Sequence, residues 1–119
     1  MMIPDEIIEH MKAGAFESLC EHLRARSDLV QNMELMTISG FCRNCLAKWM
    51  VLAARNLSNQ LRSDVQSAVL IIEENSAARQ DFLNALNKWG YEDAAKIVYG
   101  CSYAEWKKTH QRNATDEQL

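Results

Sequence analysis

Pro4 is the only proline in this chain of 119 residues, and only four glycines follow it. These are the two residues that interrupt helices, proline by losing an N–H and clashing with the turn before it, glycine by its conformational freedom. Breakers are rare here, and no alternating apolar and polar run is bounded by turn residues, so the pattern reads as helices and not as strands. The expected class is all-α, a small single-domain bundle of five to six helices spanning 1–119. The length suits one domain, and a chain of this size buries about two-thirds of its unfolded surface. At 48% hydrophobic and 24% charged, the composition excludes a disordered, collagen-like or low-complexity polymer.

The helices can be placed by period and by caps. Pro4 suits a first turn, followed by Asp5, Glu6 and Glu9 near the positive end of the helix dipole. The apolar series Ile7, Ile8, Met11, Ala15, Phe16, Leu19, Cys20 and Leu23 carries that helix to about Arg26. A short helix over 31–38 follows the Ser27-Asp28 turn, with Leu35, Met36 and Ile38 expected inside. Ser39-Gly40 is a break or a fresh N-cap. The next helix, 41–56, carries a stripe of Phe41, Cys45, Trp49 and Leu52, with Cys42, Leu46 and Ala53 beside it. Ser58 can cap a helix through Leu61, Val65, Ala68, Val69 and Ile72. Asn75-Ser76 either divides that helix from the next or decorates a longer one, which runs through Phe82, Leu83 and Leu86 to Trp89, with Gly90 at a C′ position. A helix over 92–99 ends at Gly100, and Ser102 with Glu105 makes a capping box for the last one, to about His110. The polar tail 113–119 is expected to fray.

Sixteen acidic against thirteen basic residues give a net charge of −3, which argues against a nucleic-acid partner. The N-terminus lacks the basic and apolar regions of a secretory signal. The longest apolar run, Ala68 to Ile72, is far short of the roughly 18 residues a membrane helix needs. A cytoplasmic protein with no membrane contact is therefore expected. In that compartment thiols stay reduced, so cysteines are read first as ligands, reactive thiols or core residues.

Cys42-Arg-Asn-Cys45 places two thiols three residues apart, on one helix face. Three readings follow. A thioredoxin-type dithiol follows a strand, and no strand is expected. A helix dipole would nonetheless lower the pKa of a first-turn Cys42. A structural zinc site needs four ligands. The metal candidates are Cys42, Cys45, His22 and His110. Cys20 and His22 point in different directions, so only one could join. The plainest reading makes the pair small buried residues of an amphipathic helix. No cofactor is otherwise expected. There is no nucleophile elbow and no phosphate-binding glycine loop. Glu73-Glu74 reads as a solvated face, and the three tryptophans as core or interface anchors.

Two strings together are distinctive: Asp28-Leu-Val-Gln-Asn-Met-Glu-Leu-Met followed by Gly40-Phe-Cys-Arg-Asn-Cys-Leu-Ala-Lys-Trp49, and later Val98-Tyr-Gly with Tyr103-Ala-Glu-Trp-Lys107. They resemble the family called Domain of Unknown Function 1244, over 16–49 and 90–110. The resemblance implies a short all-helical protein with no established activity. It also implies that 58–86 is an inserted helical segment, and that Cys101, where relatives commonly carry Met-Pro with the next residue, is a poor candidate for a shared site. The strings contain polar residues that a core does not require: Arg26, Asp28, Asn32, Arg43, Asn44, Lys48, Tyr99 and Lys107. They are candidate binding residues, or else they cap helix ends and tie turns together. The expected function is a binding or interaction module, a homodimer, with its site around Cys42 and Cys45. The alternative is a thiol- or metal-dependent enzyme using the same pair.

Overall fold

The computed structural model describes residues 2–63 and 76–112. Among them the chain forms six helices and no strand: α1 Asp5–Arg24, α2 Asn32–Ser39, α3 Arg43–Ser63, α4 Ser76–Lys88, α5 Tyr91–Tyr99 and α6 Tyr103–His110. The expected all-α class is what the chain adopts.

The helix ends follow from local chemistry. Pro4 stands just before α1 (φ −59°, ψ 149°) and not within its first turn. Its carbonyl accepts from the N–H groups of Ile7 and Ile8, both at 3.1 Å. Gly40 takes the left-handed conformation (φ +81°) and donates its N–H to Met36 O at 2.9 Å. Ser39-Gly40 therefore closes α2 and does not open α3. Gly90 is extended (φ −136°), and its N–H donates to Asp93 Oδ2 at 2.8 Å, so it starts α5 and is not a C′ residue of α4. Ser102 Oγ accepts from the Glu105 N–H at 3.2 Å, as expected for the opening of α6.

Ser58 does not cap a helix. It lies within α3, 2% exposed, and its Oγ donates to Asn87 Oδ1 at 2.8 Å. Continuing the helix past it buries Leu61 against Leu83, with Leu57, Phe82 and Leu86 packed around them. Val65, Ala68, Val69, Ile72 and Asn75 lie outside the described residues, as does the tail 113–119.

The main core centres on α5, which packs on α1, α3 and α6. Ala94, Ala95, Val98 and Tyr99 put four buried residues into one nine-residue helix. The two alanines let its neighbours approach closely. Cys20 and Leu23 from α1, Leu46 and Ala47 from α3, and Trp106 from α6 complete the cluster.

Two expected faces are corrected. Met36 and Ile38 are exposed, Ile38 at 86%, and α2 buries none of its own residues. The α3 stripe is also rotated. Its buried face is Arg43, Leu46, Ala47, Ala54, Ser58 and Leu61, while Trp49 and Leu52 are more than half exposed. An arginine and a serine on the inner face shift an apolar count by about one residue, or about 100° of helix.

Gly100 supplies a direct test. It sits at φ +83°, and a Cβ there would lie 3.0 Å from Arg24 Cδ. Gly100→Ala is expected to destabilise the protein by about 1–2 kcal/mol. In mid-α1, a Cβ at Gly14 meets nothing within 4 Å, and Gly14→Ala should stabilise by about 0.5–1 kcal/mol. Urea titration of both variants checks the contrast, and equal effects would contradict it.

Candidate functional site

The α1–α2 turn, the α2–α3 junction and the end of α5 meet around one buried cation. Arg43, the first residue of α3, is fully buried. Its Nη2 donates to Leu23 O at 3.1 Å and Arg26 O at 3.2 Å, carbonyls of the last turn of α1 and of the turn after it, which also accept the N–H groups of Arg26 and Val30. Its Nη1 donates to Asn32 Oδ1 at 3.2 Å, and its backbone N–H reaches the same oxygen at 3.3 Å. The guanidinium also lies 5.1 Å from the centroid of the Trp106 ring. No carboxylate pairs with Arg43 among the described residues. Burial lowers its pKa from the ordinary value. Carbonyl oxygens and an aromatic face replace the missing counter-charge.

From Asn32 the hydrogen bonds run on. Asn32 Nδ2 donates to Tyr99 OH at 3.0 Å, and Tyr99 OH donates to Asn44 Oδ1 at 2.6 Å. Tyr91 OH donates to the same Asn44 oxygen. Burial pushes Tyr91 up to about 12 and holds Tyr99 higher still, so both phenols keep their protons and act as donors. Tyr103 stacks against Tyr99 at 5.4 Å and meets Tyr91 edge-on at 6.4 Å.

A second polar cluster joins the α1–α2 turn to the end of α6. Gln31 is 5% exposed. It donates to His110 O at 2.9 Å and accepts from the Arg112 N–H at 2.7 Å. Asp28 Oδ1 lies 2.6 Å from His110 Nδ1.

Of the eight binding candidates, Asn32, Arg43, Asn44 and Tyr99 thus share one connected network. Arg26 joins it through its carbonyl, and its side chain donates to His22 O at 3.0 Å. Asp28 belongs to the Gln31 cluster, and Lys48 and Lys107 are exposed and stand apart. Gln31, Tyr103 and Trp106 lie within the strings but were not among the eight candidates, and Tyr91 lies outside the strings. Aromatic residues spaced along α5 and α6 were the available signal.

Cys42 precedes α3, and its carbonyl accepts from the N–H groups of Cys45 at 3.0 Å and Leu46 at 3.2 Å. Cys42 and Cys45 are 4.0 Å apart. The backbone N–H groups of Asn44 and Cys45 face the Cys42 sulfur, yet burial outweighs them and raises the thiol's pKa. The helix start therefore does not produce the lowered pKa expected for Cys42. His22 and His110 do not complete a ligand group with the pair, since no three His, Cys, Asp or Glu side chains converge among the described residues. Cys20 is a core residue, fully buried.

An open concave surface lies elsewhere. Met50, Ala53, Ala54 and Leu57 of α3 and Phe82, Ala85, Leu86 and Trp89 line an apolar groove of about 430 Å³. Arg55 braces its far wall by donating to Leu86 O at 2.8 Å and to Trp89 O. No helix among the described residues is long and apolar enough to cross a membrane.

Fold and site define a small helical protein with a part-buried polar network centred on a buried arginine and, among the described residues, an apolar groove between α3 and α4. A family model described as a protein of unknown function, DUF1244, matches residues 30–72 and 74–119, and the chain belongs to that family. The match covers the Cys42–Cys45 string, the polar network from Asn32 onward and both walls of the groove, and it extends over 58–86 except at Glu73. No curated protein matches the chain.

Proposed function

We propose that this protein is a self-associating interaction module in which two copies meet across the groove between α3 and α4. The groove itself carries the reading. The residues first suggested for binding, Arg43, Asn44, Asn32 and Tyr99, are engaged with one another, whereas among the described residues the groove is open.

The edge of α4 favours a second copy as the occupant. Asp81, Ala85 and Lys88 are exposed on the open side of the helix, and among the described residues neither charge has an ion-pair partner. Asp81 and Lys88 are two helical turns apart on one face. An antiparallel pairing of two α4 helices about a two-fold axis sets Asp81 of each copy against Lys88 of the other. The axis then falls beside Ala85, whose small side chain allows close approach.

Sedimentation velocity tests the proposal. The wild-type chain should sediment as a dimer at micromolar concentration, and Ala85→Glu as a monomer. Asp81→Lys and Lys88→Asp should each weaken association, and the double swap should restore it. A wild-type monomer at high concentration, or a double swap no better than either single variant, overturns it.

A further inference from the structure

We propose that Cys42 and Cys45 form an exchangeable dithiol that is oxidised to an intrachain disulfide by disulfide-bearing substrates. The inference stands apart from the groove, which contains neither cysteine.

Geometry carries it. The cysteines occupy the position before α3 and the third position within it, 4.0 Å apart. The sulfurs of a disulfide lie about 2.05 Å apart, so closure needs only a short side-chain movement. The two intervening residues hold the backbone still. Arg43 is fixed to Leu23 O, Arg26 O and Asn32, and Asn44 is fixed by Tyr99 and Tyr91. The pair is therefore preset at a rigid helix start.

Exposure sets the order of events. Cys45 is half-buried and Cys42 is 7% exposed. Cys45 loses its proton to solvent, and its thiolate attacks one sulfur of the incoming disulfide. The substrate S–S bond breaks, a mixed disulfide forms on Cys45, and the first substrate thiolate leaves. Cys42, deprotonated in turn, attacks the Cys45 sulfur. The intrachain bond forms and the second substrate thiolate leaves. The two protons shed by the cysteines end on the two substrate thiols. The protein loses two electrons and the substrate disulfide gains them. The N–H groups of Asn44 and Cys45 facing the Cys42 sulfur stabilise its thiolate during the second step. Burial of the resolving sulfur keeps it from direct attack by solvent-borne reagents.

The test uses the full chain equilibrated with oxidised and reduced glutathione, quenched in denaturant with a maleimide, and mapped by peptide mass spectrometry. The reduced protein should take four adducts, one for each cysteine. The oxidised protein should take two, with Cys42 and Cys45 joined. Cys42→Ser should stall with glutathione on Cys45. Serine is a favoured residue at that helix start, so the variant should keep its fold, and its melting transition checks this. Cys45→Ser should leave Cys42 unmodified on the same timescale. Four adducts under oxidising glutathione overturn the proposal, as does modification confined to Cys101. Equal glutathionylation of Cys42 in the Cys45→Ser variant also overturns it.

Discussion

Arg43→Ala should cost about 3–5 kcal/mol of folding free energy, from the loss of three charge-assisted hydrogen bonds and of a fully buried side chain. Three acceptors lose a charged donor at once, Leu23 O, Arg26 O and Asn32 Oδ1, and each keeps one backbone N–H, from Arg26, Val30 and residue 43 itself. A hydrogen bond to a charged group contributes about 1.5–3 kcal/mol, and the remaining backbone donors and partial relaxation reduce the sum. The cavity adds to the loss. A chain of this size loses roughly 4 °C in Tm per kcal/mol, so the melting point should fall by about 12–20 °C. Arg43→Met separates the contributions. It refills the volume and removes the desolvated cation, so it should lose less than alanine while still forgoing the three guanidinium hydrogen bonds. Arg43→Lys cannot span three acceptors with a fork and should lie between wild type and alanine. Urea titration and thermal melting followed by circular dichroism measure all three. A loss below about 1 kcal/mol for Arg43→Ala would show that the contacts contribute little to the fold.

The same residue explains what the sequence does and does not disclose. Helix class and several helix ends were legible because they depend on local chemistry: Gly100 closing α5 in a left-handed turn, Ser102 accepting from Glu105 at the start of α6. The faces of the helices were less so. Counting apolar residues leaves Arg43 off the inner stripe and makes Ser58 a helix cap, and both are inside because partners distant in sequence satisfy them. Asn87 is 29 residues from Ser58, and Leu23 is 20 from Arg43. The α2 helix fails for the opposite reason. Its apolar residues Met36 and Ile38 suggest a core, but the segment is held at its start by Gln31, Asn32 and half-buried Leu35, which leaves the rest outside. The family strings did select Asn32, Arg43, Asn44 and Tyr99, which the fold joins into one network. The strings could not tell a binding surface from a set of helix ties, since that depends on which atoms remain free after folding. The groove was hidden because its two walls come from helices separated by 64–75, and neither wall alone has an unusual pattern.

Trp106→Ala is the other large effect, at about 3–5 kcal/mol, as expected for a large aromatic residue deleted from a core. The ring is 1% exposed, 4.9 Å from Tyr99 and 5.8 Å from His110. Among the described residues its Nε1 finds no hydrogen-bond partner, so the indole contributes through its volume and its face. Trp106→Phe discards only the unpaired N–H and part of the volume, and should cost about 1–2 kcal/mol. The face is read by a double-mutant cycle with Arg43. A desolvated guanidinium over an indole contributes up to about 2 kcal/mol. The pair Arg43→Met and Trp106→Leu should therefore be less destabilising together than the sum of the singles, by about 1 kcal/mol. Strict additivity would mean that the 5.1 Å approach is mere packing, and that the buried cation is held by the three oxygens alone. A coupling of the expected size would mean that α6 docks on the α1–α3 junction through this charge. Trp106 would then set the position of the arginine between Cys42 and Asn44, linking the last helix to the two cysteines.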